Sequence, residues 1–286
     1  MSFKSIAIAG AQSPIGKAVV LALANTAGVS SLVLTRAATP RPAFLPKSVA
    51  HAGIDYANVD ATEEVLREHK VEVVICAINS YAILEQIPLA DAAKAAGVQL
   101  FVPSEFGTNI ERLPKDDTTM FLQEKVKVAE HLEAIGLPYL RIFTGIFHEW
   151  VQELVGYVVN KKVNLVHSVQ GDTPFASATC DDIGGFVAHV VTHHPLSTLA
   201  NKCLRIEGDR LTLNGLGAIL DAPVEKVDEV PAGGQVPSVF LGQAQILIET
   251  GRHDMEKSWF EGDSVGVKNG MWEGHHWTSY KEYLKL

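Results

Sequence analysis

The fold of this chain is indicated near its N-terminus, by the stretch Ile6-Ala7-Ile8-Ala9-Gly10-Ala11-Gln12-Ser13-Pro14-Ile15-Gly16. A short apolar run meets a turn that contains glycine, and apolar residues at helical spacing follow at Val19, Val20 and Leu23. This order predicts a strand, a tight turn and a helix. The same order opens the folds that bind dinucleotides.

The two glycines of this turn have different predicted roles. Gly10 lets the chain leave the strand sharply, and Gly16 lets the helix pack close to the sheet. The backbone amides between them would point at a pyrophosphate, helped by the dipole of the helix. Ser13 stands near the position of the usual middle glycine, so an ordinary strand-to-helix turn is the alternative interpretation.

The second predicted strand indicates which dinucleotide would bind. It runs over residues 31–35 and ends at Arg36. A site that prefers NAD carries Asp or Glu at this place, whereas an arginine pairs with the 2′-phosphate of NADP through its planar guanidinium. The sequence therefore predicts NADPH as the cofactor. Arg41 and Lys47 would add positive charge, and a solvated surface side chain is the alternative for Arg36 and for Lys47.

Composition excludes several classes of function. The 286 residues are 47% hydrophobic and carry a formal net charge of −9 without a basic run, so nucleic acid is not an expected partner. We find no apolar stretch of membrane-spanning length and expect no membrane partner. The predicted strand at the N-terminus leaves no room for a signal peptide. Three scattered cysteines do not have metal spacing, and Cys76 is predicted to be a core residue. We expect a soluble, cytoplasmic protein.

The first half of the chain alternates predicted strands and helices, which favours a Rossmann-type α/β fold with a doubly wound parallel sheet. Strands are predicted at residues 5–9, 31–35, 71–78, 98–103 and 139–144, with weaker strand character near 50–59. Helices are predicted near residues 15–27, 62–70, 83–96 and 118–135. Gly97 and Gly136 follow two of these helices, where a left-handed cap favours glycine.

After about residue 150 the alternation weakens, and glycines and prolines cluster at 208–237. We therefore predict an NADP-binding domain over residues 1–150 and a smaller, mainly substrate-binding domain over 151–286. A helix that starts at Cys180 is predicted to return to the sheet, so a segment near 178–195 would belong to the NADP-binding domain.

Ligands of open parallel sheets bind beyond the carboxyl ends of the strands. That rule selects the turn from Gly10 to Gly16 and the residues that follow the other strands: Arg36, Asp60, Ala77, Ile78, Asn79, Pro103, Ser104, Glu105, Phe106, Gly107, Thr144, Gly145, Ile146 and Phe147. Phe106 or Phe147 would lie beside the nicotinamide. For Asp60, contact with adenine and capping of the next helix are equal alternatives.

One of these segments carries a family resemblance. Pro103-Ser104-Glu105-Phe106-Gly107 resembles the PSEFG segment of isoflavone reductase-like proteins, which include phenylcoumaran benzylic ether and pinoresinol reductases. These proteins stand with NmrA-like proteins among the atypical short-chain dehydrogenases. The segments 141–147 and 277–284 are similar to the strand and the closing helix of the same family, so the resemblance covers nearly the whole chain.

The resemblance also implies a catalytic residue. Lys125 stands fourteen residues before Tyr139 in Gly136-Leu137-Pro138-Tyr139, which is similar to the spacing between the family's catalytic lysine and its GIPYT segment. A lysine packed over the crevice would be partly desolvated, and it would donate a proton or a charged hydrogen bond to an oxygen that gains charge. Lys125 would also contact the cofactor. An exposed helix lysine is the alternative.

The chain departs from the family pattern in two places. The family turn GATGxxG is replaced by the sequence of residues 10–16, which keeps only the outer glycines. The basic residue that usually stands four positions after the lysine is Ala129. This second departure weakens any transfer of the family's plant substrates to this chain.

Two further sets of residues have competing interpretations. Tyr157 and Lys161 have the Tyr-x-x-x-Lys spacing of ordinary short-chain dehydrogenases, but they follow the sixth predicted strand instead of preceding it. We therefore interpret them as a core tyrosine and a surface lysine. His148 either borders the substrate pocket or simply begins a helix. The pairs His193-His194 and His275-His276 lack partners at metal spacing, so no metal site is expected.

These observations predict an NADPH-dependent reductase of a small aromatic or conjugated metabolite in secondary metabolism, with Lys125 as general acid or base. Phe106, Phe147 and His148 are the predicted substrate contacts. The alternative is a non-catalytic regulator that binds NADP(H) and thereby shifts a protein interaction, which some NmrA-like proteins resemble. The sequence leaves open whether the chain is a monomer or a homodimer.

Overall fold

The structure is a computed structural model that describes residues 2–119, 121–234, 236–257 and 266–286. The described residues form these strands: β1 Ser5–Ala9, β2 Ser30–Arg36, β3 Ala50–Ile54, β4 Val73–Cys76, β5 Leu100–Val102, β6 Leu140–Phe143, β7 Ile146–Phe147, β8 Val163–Val166, β9 Phe175–Ala178, β10 Lys202–Arg205, β11 Asp209–Leu211 and β12 Val224–Val227. They form these α-helices: α1 Pro14–Ala24, α2 Val59–Glu68, α3 Gln86–Ala96, α4 Leu122–Ala134, α5 His148–Leu154, α6 Tyr157–Asn160, α7 Cys180–His193, α8 Leu196–Leu199, α9 Gly215–Ile219, α10 Ser238–Glu249 and α11 Tyr280–Leu284. Two 3-10 helices lie at Ser80–Glu85 and Asn269–Met271.

The chain divides into two compact units. The first contains the described residues of 1–106, 110–142 and 183–204, and the second contains those of 107–109, 143–182 and 205–286. The predicted functional domains, 1–150 and 151–286, stay a prediction because this division does not assign a ligand to either unit.

The first unit is built on a parallel sheet with strand order β3-β2-β1-β4-β5. A parallel bridge between Phe101 and Tyr139 continues the order toward β6, which also pairs with β10. This topology confirms the predicted doubly wound α/β fold. The apolar run of β4 is completely buried, as expected for a strand that is covered on both faces.

Helices cover this sheet closely. A Cβ atom added at Gly184 of α7 would lie 2.5 Å from the Cβ of Ala18 in α1, so only glycine allows the two helices to approach this far. The predicted caps at Gly97 and Gly136 are confirmed, because both adopt positive φ directly after α3 and α4. Cys76 is buried in the core, as predicted.

Several predicted boundaries differ from the structure, and three of them lie close to predicted site residues. The weak strand near 50–59 ends at Ile54, because Asn58 caps α2 and residues 59–60 already belong to that helix. The helix predicted near 83–96 begins at Gln86 and follows the 3-10 helix Ser80–Glu85. The helix predicted near 118–135 begins at Leu122, and Met120 within that prediction lies outside the described residues.

The second unit has two small sheets around its own apolar core. β9 pairs antiparallel with β11 and parallel with β7, while β8 and β12 form a parallel pair. Inside this unit, the buried side chain of Gln245 in α10 donates to the carbonyl groups of Leu154 and Asn164 and accepts from the amide of Val166. Because its polar atoms are all satisfied, Gln245 can join three elements without a burial penalty.

Candidate functional site

The turn between β1 and α1 requires glycine at both outer positions. Gly10 has a φ of +83°, and a Cβ atom there would lie 2.4 Å from the carbonyl oxygen of Ala77. A Cβ atom at Gly16 would lie 2.2 Å from the carbonyl oxygen of Gly10. No side chain fits at these distances, so only glycine lets the turn pack this closely against the protein's own backbone.

Ser13 performs a structural role at the position of the missing middle glycine. Its Oγ accepts a hydrogen bond from the amide of Gly16 at 3.0 Å and caps α1. The same Oγ lies 2.9 Å from the carbonyl oxygen of Gly10 and 2.8 Å from that of Ala77, so its single proton can be donated to either carbonyl. Pro14 takes the first helical position, where an amide hydrogen is not needed. In this turn, Gln12 is exposed and Ile15 is buried.

The residues after β4 and β5 meet the same edge of the sheet. The Oγ of Ser104 donates to the carbonyl of Ile78 at 3.0 Å, and its amide donates to the Gln86 side chain at 2.8 Å. Asn79 caps the 3-10 helix by accepting from the amide of Tyr81. Pro103 accepts from the amide of Glu105 in the turn that follows β5. The carboxyl ends of β1, β4 and β5 are thus joined by side-chain hydrogen bonds.

Arg36 ends β2 with an exposed side chain, as expected for a residue that reaches a ligand phosphate. However, its Nη2 atom lies 2.8 Å and 3.1 Å from the two carboxylate oxygens of Glu85. The sequence analysis missed Glu85, since nothing in the spacing of the chain joins residues 36 and 85. Lys47 is exposed in the loop of residues 37–49, where Arg41 donates to the carbonyl groups of Pro46 and Val49.

Asp60 is an exposed residue in the first turn of α2. The capping alternative for Asp60 is wrong, because the side chain of Asn58 accepts from the amide of Ala61 and makes the cap. A carboxylate at this end of a helix is still favoured by the helix dipole. The predicted adenine contact of Asp60 stays a prediction.

Lys125 lies on α4 with its ammonium at the turn that follows β5. The Nζ atom donates to the main-chain carbonyl of Glu105 at 2.5 Å and lies 5.6 Å from the ring centroid of Phe121. The side chain is half-buried, whereas Lys127 is exposed. Burial lowers the pKa of Lys125 below its ordinary value. The Glu105 carboxylate opposes this shift, and the Arg141 guanidinium adds to it.

Glu105 and Arg141 form a buried ion pair that the sequence analysis missed. The Nε of Arg141 donates to Oε1 of Glu105 at 2.6 Å, and both side chains are almost fully buried. Oε2 of Glu105 has no hydrogen-bond partner among the described residues. A sequence signal existed, because both charges stand beside or inside buried strands: Glu105 shortly after β5 and Arg141 within β6. An isolated charge in an apolar run usually needs a buried partner.

Phe106 follows this pair with an unusual backbone. Its φ is +30° and its side chain is buried, and its amide donates to the carbonyl of Ile142 at 3.0 Å. A positive φ is uncommon for a bulky residue and is often held in place at functional sites.

In the second unit, Thr144 and Phe147 follow β6 and differ in burial. Thr144 is fully buried, and its Oγ1 has no hydrogen-bond partner within the described residues. Phe147 is half-buried, and its ring packs edge-on against Trp150 at a centroid distance of 5.4 Å. Their predicted contacts with cofactor and substrate stay predictions.

His148 begins α5 and is buried beneath α11. Its ring lies 5.2 Å from that of Tyr280 and 5.7 Å from that of Tyr283. Burial lowers the pKa of His148 to about 4, although Asp209, Asp182 and the nearby backbone of Ser177 favour the charged form. The imidazole is therefore neutral at neutral pH. Its predicted contact with substrate stays a prediction.

Tyr157 and Lys161 contact each other through the ring face instead of presenting a phenol beside an ammonium. The Nζ of Lys161 lies 4.9 Å from the ring centroid of Tyr157. Tyr157 packs against the apolar core of the second unit, and Lys161 is exposed. This arrangement agrees with the interpretation of Tyr157 and Lys161 as residues that stabilise the fold.

The residues at the sheet edge fit a dinucleotide on three counts. The turn at Gly10 and Gly16 excludes side chains, α1 begins at that turn, and the exposed guanidinium of Arg36 ends the neighbouring strand. Within the described ranges, no three His, Cys, Asp or Glu side chains are placed to hold a metal ion. Nor do those ranges contain a helix long and apolar enough to cross a bilayer.

The family model of NmrA-like proteins matches residues 2–255. This chain belongs to the NmrA-like family. The predicted resemblance is thereby confirmed. Among curated relatives of this NmrA-like chain, an isoflavone reductase from Glycine max is 32% identical over 72% of the chain and 67% of that protein. An isoflavone reductase homologue from Zea mays is 32% identical over 54% of the chain. The match spans about half of the maize protein's length, 52%.

Solved structures show that the NmrA-like chain has the fold of known reductases. The complex of leucoanthocyanidin reductase with NADPH from Vitis vinifera superposes with a TM-score of 0.80, and the match covers 98% of each chain. The two sequences are 21% identical, so this likeness concerns the fold.

Proposed function

We propose that this chain is an NADPH-dependent reductase of a small aromatic or conjugated metabolite, in which Lys125 is the general acid or base. The observation that carries this proposal is the half-buried ammonium of Lys125, held by the Glu105 carbonyl at the carboxyl edge of the sheet. This edge is where ligands of doubly wound folds bind. When bound, NADPH supplies the hydride.

Lys125 has the features that proton transfer requires. Its burial lowers its pKa toward the working range of a general acid. The carbonyl of Glu105 uses one of the three ammonium hydrogens and fixes the direction of the side chain. The remaining donors are available to an oxygen that gains negative charge during reduction. General acid catalysis of this kind supplies about 100- to 10,000-fold in rate.

The cofactor role rests on residues of the first unit. We assign the pyrophosphate to the turn from Gly10 to Gly16 and the 2′-phosphate to Arg36, with Lys47 as an added charge. Contacts from Asp60, from Ala77 to Asn79 and from Pro103 to Phe106 follow from their place after the strands.

The substrate class is proposed from the names of the relatives, isoflavone reductase and leucoanthocyanidin reductase. We assign nucleotide binding to residues 1–150 and the choice of substrate mainly to residues 151–286. The departure at Ala129 argues against transferring a particular plant substrate to this chain.

Consumption of NADPH by the purified full-length chain tests the proposal. A panel of enones, aryl ethers and quinones would be supplied one at a time, with nucleotide affinity measured separately. We expect steady turnover with at least one of these classes. Tight binding of NADPH without turnover on any of them would instead favour a regulator that senses NADP(H).

A further inference from the structure

The Arg36–Glu85 pair lies where the cofactor's ribose is expected to bind. One guanidinium nitrogen contacts both carboxylate oxygens, at 2.8 Å and 3.1 Å. The arginine side chain is 66% exposed and that of the glutamate 39% exposed. Ion pairs this exposed contribute little to folding stability and exchange readily with solvent or with other charged groups. The fold therefore does not depend on this pair.

The backbone at Glu85 is held firmly even though its side chain is exposed. Glu85 ends the 3-10 helix that Asn79 caps, and α3 starts at the next residue. Gln86 is buried, donates to the carbonyl of Ile83 and accepts from the amide of Ser104. These contacts hold the backbone of Glu85 in a helical segment instead of leaving it on a free loop.

We propose that Glu85 is a specificity-determining residue that competes with the nucleotide 2′-phosphate for Arg36. The inference rests on the proposed function, since it presumes that NADPH binds at this edge. A 2′-phosphate must displace the carboxylate from Arg36 and then tolerate a negative charge nearby. NADH has a free 2′-hydroxyl, so it neither displaces the carboxylate nor places a phosphate beside it. In NAD-binding folds an acidic residue accepts a hydrogen bond from this hydroxyl, and Glu85 would be such an acceptor here.

Glu85 and Arg36 thus act in opposite directions on the choice of cofactor. Arg36 favours NADPH through a charge-assisted contact. Glu85 reduces that preference, so the chain discriminates between NADPH and NADH less than the arginine alone would allow. Because both charges are exposed, the effect of Glu85 weakens as ionic strength rises.

Nucleotide titrations of the Glu85→Gln variant test this inference. The dissociation constants of NADPH and NADH would be measured by calorimetry for the full-length wild type and the variant at low salt. We expect the variant to bind NADPH about 2- to 5-fold more tightly, because removing one exposed charge has effects of this order. Its affinity for NADH should stay the same or fall. The gain for NADPH should disappear in an Arg36→Ala background.

A matched control removes the same charge elsewhere in the first unit. Glu68→Gln lies at the far end of α2, is exposed, and should leave both affinities unchanged. Unchanged or weaker NADPH binding by Glu85→Gln would overturn the inference, and weaker binding would identify Glu85 as a residue that orients Arg36. A wild type that binds neither nucleotide would instead contradict the proposed function itself.

Discussion

Glu105 and Arg141 place opposite charges 2.6 Å apart in an almost completely buried environment, directly beside the ammonium of Lys125. The pair joins the turn after β5 to the interior of β6. A charged group in such a place is tolerated only while its partner is present. Glu105 therefore has two roles: its carboxylate pairs with Arg141, and its main-chain carbonyl accepts from the Lys125 ammonium.

Loss of that carboxylate should destabilise the protein strongly. Glu105→Ala leaves the Arg141 guanidinium buried without its partner, and breaking such a pair costs about 3–5 kcal/mol. Urea denaturation at neutral pH measures the change in unfolding free energy. The control is Glu225→Ala, which breaks an exposed pair with Lys162 and should cost at most about 1 kcal/mol. Equal effects of both substitutions would contradict the structural role of Glu105.

The catalytic role of Lys125 is tested by Lys125→Met, which keeps an apolar stem and removes the proton donor. Turnover on a substrate from the panel should fall about 100- to 10,000-fold, the usual contribution of a general acid. The variant should still bind NADPH. Single-turnover kinetics and nucleotide titration measure the two quantities.

Tyr157→Phe is the matched control for the alternative site. It should alter turnover only slightly, because Tyr157 packs against the apolar core of the second unit. Near-normal turnover in Lys125→Met, together with a folded but inactive Tyr157→Phe, would move the active site to the Tyr157–Lys161 pair.

The lowered pKa of Lys125 also predicts how stability depends on pH. Because burial disfavours the charged ammonium in the folded state, the unfolded chain binds more protons between the folded pKa and the unfolded one. The stability lost by burying the charge is greatest below the folded pKa and is recovered as pH rises toward the unfolded pKa.

Lys125→Met should therefore be more stable than the wild type at pH 7. That advantage should shrink as the pH approaches the ordinary range of lysine, which denaturation at several pH values would measure. A constant advantage would indicate that the ammonium carries no burial penalty.

Cofactor choice is tested at Arg36. Arg36→Ala should weaken NADPH binding much more than NADH binding, since a charge-assisted contact of this kind contributes about 1.5–3 kcal/mol. Titrating both nucleotides into the wild type and the variant measures the difference. An equal loss of affinity for the two nucleotides in the variant would contradict the assignment of Arg36 to the 2′-phosphate.

Much of the first unit could be predicted from sequence because its signals are local. The turn at Gly10 and Gly16, the buried run of β4 and the capping glycines Gly97 and Gly136 each depend on neighbours within a few residues. The boundary near residues 54–60 could not be predicted, because the competition between Asn58 and Asp60 for the helix cap depends on where the chain leaves β3.

The sequence by itself therefore determined the α/β order, the dinucleotide-binding turn and the position of Lys125 within a family motif. Only the tertiary structure decided that Glu85 pairs with Arg36, that Glu105 pairs with Arg141, and that Lys125 donates to the main-chain carbonyl of Glu105. The physical reason is that an ion pair forms between residues that are distant along the chain and adjacent in the folded protein. Spacing along one chain does not record such neighbours, whereas burial and distance in the folded protein do.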